Sequence, residues 1–359
     1  MNKDLHGGNI YKFQREGKND ILDYSSNINP LGVAQKFIGI AKESFDKLIN
    51  YPDPYYIELR KKIAKFNSLN MDNIIVGNGA TEILFLYIRA LKPKKVLILA
   101  PCFAEYERAL KSVSAKIEYF ELKESDNFYP NIINLKKEIE NNNYDLLLFC
   151  NPNNPTGQFI KLEDIKEIIE TCENKNIKIF IDEAFIEFIE DWKEKTVSLL
   201  KNKKIFIMRA FTKFFAIPGL RLGYGIGFDD EILKKMWEEK EPWTVNTFAN
   251  LAGLIMLDDK EYIEKSEKWI LEEKKFMYKE LSEFQYIKAY KTECNFILIK
   301  IYNTSSANLR DKMIEKNILI RDASNFKFLD YHFVRLAIKD RKSNLKMMET
   351  LAEFVEYRG

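Results

Sequence analysis

The stretch Arg209-Ala-Phe-Thr-Lys-Phe-Phe-Ala-Ile-Pro-Gly-Leu-Arg-Leu-Gly223 decides the fold, because it joins a predicted strand to a reactive side chain. The apolar residues 205–208 before it predict a buried strand. Thr212 and Lys213 would then lie at a strand end, where α/β proteins build their ligand sites. Since the residues around Lys213 are largely apolar, we expect the charged form to be disfavoured and the pKa of the amine to fall.

The same stretch also supplies groups that suit an anion. Arg221 comes eight residues after Lys213, behind a Pro-Gly turn. Its guanidinium and the hydroxyl of Thr212 suit a phosphate, and a neutral lysine amine can attack a carbonyl to form an imine. An imine-forming lysine beside a phosphate grip is the arrangement that pyridoxal 5′-phosphate requires. On spacing alone, an ordinary surface lysine is the alternative.

Length and composition exclude several classes of protein. The 359 residues are enough for a large core and two domains. The net charge is only +2, from 56 basic and 54 acidic residues, which argues against a nucleic-acid partner. No apolar stretch approaches the roughly 18 residues of a membrane span. We therefore expect neither a nucleic-acid nor a membrane partner.

The cysteines and histidines make a metal site an unlikely basis for the chemistry. The chain has two histidines, and its cysteines form neither a CxxC pair nor a Cys/His cluster, so no structural zinc is expected. The N-terminal sequence lacks the apolar core of a signal peptide. Reduced thiols in a cytoplasmic protein are the simplest interpretation of the four scattered cysteines, Cys102, Cys150, Cys172 and Cys294.

Strand and helix patterns alternate through the middle of the chain. Helical spacings separate most of the apolar strand candidates, which are residues 73–77, 95–100, 116–120, 145–150, 177–181, 204–208 and 222–227. Near-continuous apolar strands are typical of a parallel sheet covered on both faces. The sequence therefore predicts an α/β fold whose large domain holds a mostly parallel seven-stranded sheet sandwiched by helices.

The pattern changes after about residue 230. Helices are predicted at about 259–284, 305–316 and 344–357, with strands at 295–301, 318–321 and 333–338. This mixture indicates a smaller α+β domain. We predict an N-terminal segment, residues 1–45, that packs with this small domain, a large domain at 46–245, and the small domain at 246–359.

Two further polar residues are predicted at the same edge of the sheet as Lys213. Asn154 lies in the loop after the strand at 145–150, and Asp182 follows the next strand, at 177–181. The gaps to Asp182 and then to Lys213 are 28 and 31 residues, about one βα unit each. A turn and a helix cap are the alternatives for these residues. A carboxylate beside a pyridinium nitrogen would keep it protonated and make the ring an electron sink.

With these residues, the chain resembles the fold-type I pyridoxal phosphate enzymes of the aminotransferase class I and II family. Ala210 departs from the pattern, since a small Ser or Gly usually stands there. The resemblance implies a homodimer in which Tyr51 reaches the cofactor phosphate of the partner subunit. It also implies that Lys213 and Asp182 are catalytic and that the cofactor contacts include Ala80, Thr81, Phe103, Asn154, Asp182, Thr212, Lys213 and Arg221.

The details favour one branch of that family. The motif order is that of the histidinol-phosphate aminotransferases, but His6-Gly-Gly-Asn-Ile10 and Asn27-Ile-Asn-Pro-Leu-Gly32 are more similar to the threonine-phosphate decarboxylases of cobalamin synthesis. This branch implies a phosphorylated amino acid as substrate. It implies that His6 and Arg321 bind the phosphate and Arg335 the carboxylate, within a set of substrate contacts that comprises His6, Gly7, Asn29, Asn154, Arg321 and Arg335.

Three interpretations remain open on the sequence. The first is a lyase that removes CO2 from the phosphorylated amino acid. The second is an aminotransferase for histidinol phosphate or a related compound, in which Lys213 moves a proton instead. The third is a non-catalytic α/β binding module, against which the combination of Lys213, Asp182, Asn154 and Arg221 argues.

Overall fold

Strands and helices alternate along the chain in a computed structural model that describes residues 6–356. The strands are β1 (Leu22–Asp23), β2 (Ile74–Asn78), β3 (Lys95–Ala100), β4 (Lys116–Glu121), β5 (Leu146–Cys150), β6 (Lys178–Asp182), β7 (Ile205–Ala210), β8 (Leu222–Gly227), β9 (Ile287–Ala289), β10 (Phe296–Ile301), β11 (Ile318–Leu319), β12 (Arg321–Asp322) and β13 (Phe333–Ala337). The α-helices are α1 (Ile10–Arg15), α2 (Gln35–Lys42), α3 (Ile57–Phe66), α4 (Ala80–Leu91), α5 (Glu105–Lys111), α6 (Ile132–Asn141), α7 (Leu162–Asn174), α8 (Trp192–Lys195), α9 (Phe211–Phe214), α10 (Asp230–Glu239), α11 (Thr247–Met256), α12 (Lys260–Ser282), α13 (Ser306–Glu315) and α14 (Arg341–Ala352).

The large sheet has the seven strands that the apolar runs predict, in the spatial order β2-β8-β7-β6-β5-β3-β4. Five of them, β3 to β7, run parallel to one another. Strand β8 is antiparallel to both β2 and β7, which makes the sheet mostly rather than wholly parallel. The predicted α/β class is therefore confirmed, with strand ends displaced by one or two residues.

Helices cover both faces of this sheet, which explains why its central strands are mostly apolar. Every residue of β5, β7 and β8 is buried. Helices α4, α5 and α10 pack on one face and contribute Leu84, Ala109 and Leu233 to its core. Helices α3 and α7 pack on the other face, where Ile63 and Ile165 are fully buried. Burial of both faces removes the alternation that a half-exposed strand would show.

A second, antiparallel sheet in the order β12-β13-β10-β9 forms the smaller domain, where α12 and α14 pack together. The chain near its N-terminus joins this part of the molecule. Strand β1 pairs in parallel with β11, and the Ala337 amide donates a hydrogen bond to the Tyr24 carbonyl. The domain limits at residues 45 and 245 remain a prediction.

Some predicted elements differ from those observed. The strand expected at 318–321 is two strands, since β11 pairs with β1 whereas β12 pairs with β13, in a different sheet. The last helix begins earlier than expected, because Asp340 caps it by accepting a hydrogen bond from the Ser343 amide. No helix within residues 6–356 has the length and apolar character needed to cross a bilayer.

A buried ion pair joins the ends of β6 and β7. Arg209 and Glu183 are both fully buried, and the guanidinium donates from Nε and Nη2 to the same carboxylate oxygen, at 3.0 and 2.7 Å. Arg209 also donates to the side chains of Thr196 and Asn67. Because side chains alternate across a strand, this pair lies on the face opposite Asp182.

Replacing Glu183 with Gln should destabilise the protein by ~3–5 kcal/mol, because it removes the charge of the carboxylate that is hydrogen-bonded to the buried Arg209 guanidinium. Urea unfolding of the two proteins would measure the difference. The matched control is Glu261→Gln, which removes an exposed partner of Lys265 and should leave the unfolding midpoint unchanged. Equal stability of Glu183→Gln and the wild type would show that the pair is not needed for folding.

Candidate active site

A cavity opens at the sheet edge where β5, β6 and β7 end. Because parallel strands present their carboxyl ends to one edge, the loops that follow them converge there. The start of α4 and part of the small domain complete the walls. Most of the residues that the sequence assigns to a site line this cavity, namely His6, Gly7, Ala80, Thr81, Phe103, Asn154, Asp182, Thr212, Lys213, Arg221, Arg321 and Arg335.

Lys213 lies in the single turn of α9, directly after β7. Its side chain is half-buried, and its Nζ is 6.0 Å from the centre of the Phe185 ring. Burial and, to a smaller extent, the positive charges of Arg335 and Arg221 lower the pKa of Lys213 to about 8. An amine with this pKa is partly neutral near pH 8 and can therefore act as a nucleophile or a base.

Asp182 ends β6 and is buried beneath the cavity. Tyr106 Oη donates a 2.5 Å hydrogen bond to Asp182 Oδ2, and the Ala184 amide donates to Oδ1 at 2.8 Å. Burial raises the pKa of Asp182 to about 6, although these two donors and the charge of Lys213 oppose the rise. The carboxylate is thus ionised at neutral pH and suits a protonated ring nitrogen.

The start of α4 and Arg221 form an anion cradle. The backbone at Gly79 is left-handed, with φ of 79°, and a Cβ there would lie 2.4 Å from Arg221 Nη2. A Cβ on Gly223 would lie 2.3 Å from the Ala80 nitrogen, so β8 approaches the helix start closely only because residue 223 is glycine. A helix N-terminus beside a guanidinium favours a phosphate, which is the fit that pyridoxal phosphate requires.

Two glycines hold His6 at the cavity wall. A Cβ on Gly7 would lie 2.0 Å from the Ser25 carbonyl oxygen, and the Gly8 amide donates to Ser25 Oγ at 2.8 Å. The His6 ring packs against Phe103, with ring centres 5.5 Å apart. Phe103 in turn contacts Tyr106 edge-to-face. The N-terminal segment is therefore seated by close backbone contact and one aromatic face.

Two buried arginines face the cavity from the small domain. Arg321 and Arg335 are directly opposite each other on β12 and β13. Arg335 donates to the side-chain oxygen of Asn154 at 2.5 Å and to the Ser25 carbonyl at 2.7 Å. Burial and, to a smaller extent, the neighbouring charge of Arg321 lower the pKa of Arg335 to about 9. Since buried charge is costly, adjacent guanidiniums here favour an anionic ligand.

Two expected site residues lie elsewhere in this chain. Asn29 points away from the cavity and donates to the Phe214 carbonyl and to Ser266 Oγ. Asn27, two residues earlier, lines the cavity instead, and its buried Oδ1 has no hydrogen-bond partner among the described residues. Tyr51 is 81 % exposed and packs against Trp243. The sequence motif at residues 27–32 therefore contains a cavity residue, but that residue is Asn27 rather than the expected Asn29.

Sequence reasoning also missed the groups behind the cavity wall. Tyr106, which binds Asp182, and Glu105, which binds His6, follow Phe103 at the start of α5. Their spacing resembles an ordinary helix turn, so no local pattern distinguishes them. Within residues 6–356 no group of three or more His, Cys, Asp or Glu side chains is arranged to hold a metal ion.

Replacing Tyr106 with Phe should shift the pH dependence of pyridoxal phosphate binding. The Tyr106 hydrogen bond lowers the pKa of Asp182, so its loss should raise that pKa above about 6. Asp182 would then become neutral at a higher pH as the solution is acidified. Because a hydrogen bond to a charged group is worth ~1.5–3 kcal/mol, we expect the acid-side loss of affinity to begin roughly one to two pH units higher.

Titration of the cofactor-free protein with pyridoxal phosphate at several pH values would test this. Ionisation of the cofactor is common to both proteins, so the difference between them isolates Asp182. Tyr129→Phe is the matched control, because it removes a hydrogen bond to Asp164 that lies outside the cavity walls. Coincident pH curves for Tyr106→Phe and the wild type would contradict the assignment.

Comparison with known proteins agrees with this geometry. Residues 17–351 match the family described as "Aminotransferase class I and II". A Caldanaerobacter subterraneus protein provisionally named threonine-phosphate decarboxylase is 44 % identical over 98 % of this chain and 94 % of its own. The threonine-phosphate decarboxylase of Salmonella typhimurium is 33 % identical over 96 % and 95 %.

A solved structure described as the histidinol-phosphate aminotransferase of Clostridium acetobutylicum is also similar, with 38 % identity and a TM-score of 0.87. The match covers 93 % of this chain and 98 % of that one. The relatives therefore include both of the activities that the sequence left open. Their shared fold and cofactor agree with the cavity around Lys213 and Asp182. The chain belongs to the aminotransferase class I and II family, and its cofactor is pyridoxal phosphate.

Proposed function

We propose that the protein is a carboxy-lyase that converts L-threonine O-3-phosphate to aminopropanol phosphate, a step of cobalamin synthesis. The observation that carries the proposal is the pair of buried arginines, Arg321 and Arg335, in the same cavity as Lys213. A substrate with both a carboxylate and a phosphate supplies two anionic groups for them. The relatives named threonine-phosphate decarboxylase support this choice.

In this proposal the cofactor would be held by four groups of contacts. The start of α4 at Ala80 and Thr81, together with Thr212 and Arg221, would bind its phosphate. Phe103 would stack on its ring, Asp182 would bind the ring nitrogen, and Lys213 would attach to its carbonyl carbon. When bound, the cofactor supplies an electron sink for one bond to the substrate Cα.

The remaining residues select and complete the reaction. Arg335, held by Asn154 and Ser25, would bind the substrate carboxylate and fix its orientation. Arg321 and His6 would bind the phosphate. The bond between Cα and the carboxylate breaks, CO2 leaves without the bonding electron pair, and Cα then takes a proton. Lys213 is the group placed to deliver it, since its lowered pKa allows exchange near neutral pH.

The second candidate is an aminotransferase acting on histidinol phosphate or a similar compound. The 38 % identical structure described as a histidinol-phosphate aminotransferase favours it. In that reaction Lys213 would remove the proton from Cα, and the carboxylate site at Arg335 would serve the amino acid that donates the amino group.

A cytoplasmic location, inferred from the unpaired cysteines, stays a prediction.

The purified protein should release CO2 from L-threonine O-3-phosphate without consuming a keto acid. Phosphoserine and histidinol phosphate should be supplied in parallel, with CO2 and keto-acid formation followed for each. Lys213→Ala is the negative control, because it removes the amine that would transfer the proton at Cα and should lose nearly all turnover. Glutamate-dependent transamination of histidinol phosphate, with no CO2 from phosphothreonine, would establish the aminotransferase instead.

We further propose that the protein is a homodimer in which Tyr51 completes the partner's cofactor site. Tyr51 does not line the cavity of its own chain. It lies in a segment, residues 45–55, whose exposed apolar side chains also include Phe45, Leu48, Ile49 and Tyr55, of which Ile49 is 88 % exposed. An apolar surface of this kind is typical of a protein interface. A second copy seated there would cover it.

Mixing two variants, one with weakened cofactor binding and one inactive, would test the shared site. Tyr51→Ala should bind pyridoxal phosphate more weakly by roughly ten- to a hundredfold, the effect of losing a hydrogen bond to a charged group. Lys213→Ala should be inactive. If Tyr51 acts across the interface, subunit exchange between the two creates one intact site, and activity at limiting cofactor should exceed that of either variant. A monomer by sedimentation, or mixtures without recovery, would contradict the proposal.

A further inference from the structure

The buried carboxylate of Glu105 needs an explanation. Glu105 is the first residue of α5, and its side chain is only 8 % exposed. Its carboxylate contacts His6 Nε2 at 3.0 Å and Arg108 Nη1 at 3.3 Å. Arg108 is 74 % exposed, so a screened surface contact does not account for burying the charge.

The contact with His6 fixes how the imidazole can be used. An ionised carboxylate only accepts hydrogen bonds, so His6 Nε2 must be the donor in this contact. The other ring nitrogen, Nδ1, is then the atom available to a ligand. A doubly ionised phosphate also only accepts, so Nδ1 can bind one only when it too carries a proton. The imidazole would then lie as a cation between two anions.

The supporting contacts leave little freedom for this arrangement. Gly7 is pressed against the Ser25 carbonyl, and the His6 ring packs on Phe103, two residues before Glu105. His6 is therefore restrained by three contacts: the Glu105 carboxylate, the Phe103 ring and the close approach of the neighbouring backbone to Ser25. Glu105 itself does not line the cavity, so it can act on a ligand only through the histidine.

We propose that Glu105 is a positioning residue that holds His6, in its charged form, toward the phosphate of the substrate. The inference rests on the proposed function, in which the ligand is phosphorylated. It adds a residue that selects phosphorylated over unphosphorylated ligands without touching either. Such selectivity is separable from folding, because a general structural defect would weaken both classes of ligand alike.

The test compares two ligands that differ only in the phosphate. Aminopropanol phosphate and aminopropanol both lack the carboxylate, so they undergo no decarboxylation, and calorimetry on the cofactor-loaded protein can measure their binding. The wild type should prefer the phosphorylated ligand. Glu105→Ala should reduce that preference by roughly ten- to a hundredfold, as expected for a lost charge-assisted hydrogen bond. The affinity for aminopropanol and the cofactor spectrum should not change.

Three variants sharpen the result. Glu105→Gln keeps an oxygen that can accept from His6 and should retain more of the preference than Glu105→Ala. His6→Ala combined with Glu105→Ala should lose no more than His6→Ala alone, because the two residues act as one unit. Glu107→Ala, the matched control, removes an acidic residue of the same helix that pairs with Lys111 and should behave as the wild type.

The outcomes separate the two proposals. A wild type with no preference for the phosphorylated ligand would contradict the proposed substrate itself. A wild-type preference that survives in Glu105→Ala would overturn only the role of Glu105. Equal weakening of both ligands in Glu105→Ala would also overturn it, since that pattern indicates a structural defect rather than lost selection of the phosphate.

Discussion

The buried ion pair between Arg209 and Glu183 is the constraint on which the cavity depends. It ties the end of β6 to β7 on one face of the sheet. Because side chains alternate along strands, the same register sends Asp182, Met208 and Ala210 to the cavity. The Arg209–Glu183 ion pair, whose disruption is costly, therefore lies on the opposite side of the strands from these three cavity residues. Because the ion pair aligns β6 and β7 from the opposite face, no cavity side chain is needed for that alignment.

Charge balance in the cavity follows from burial. The pKa of Lys213 falls to about 8, that of Arg335 falls to about 9 and that of Asp182 rises to about 6, and burial is the largest cause each time. The neighbouring cationic groups lower the pKa values of Lys213 and Arg335 by repulsion, and an anionic ligand would relieve that repulsion. Cofactor and substrate phosphates would each do so, at the α4 cradle and beside Arg321. Affinity for anions therefore follows from the positive charges that line the cavity.

The sequence was informative where function follows from strand order. Lys213, Asp182 and Asn154 were predicted to converge because each follows a strand one βα unit from the next, and all three line the cavity. Loop residues were harder to predict, since a turn-rich segment has no periodicity that shows whether Asn27 or Asn29 faces the cavity. Glu105 and Tyr106 could not be found locally, because their partners are 99 and 76 residues away. The role expected of Tyr51 involves the cofactor site of a second chain, so it cannot be judged from the contacts within one chain.

The seat of the N-terminal segment has a consequence for the order of folding. Ser25, which supports Gly7 and Gly8, receives a hydrogen bond from Arg335 across 310 residues of chain, and β1 pairs with β11. Contacts so distant in sequence carry a large loop-closure cost and slow folding. The large sheet can form without them, whereas the cavity cannot. Newly made chains must therefore be synthesised past β13, the strand that carries Arg335, before a substrate pocket exists.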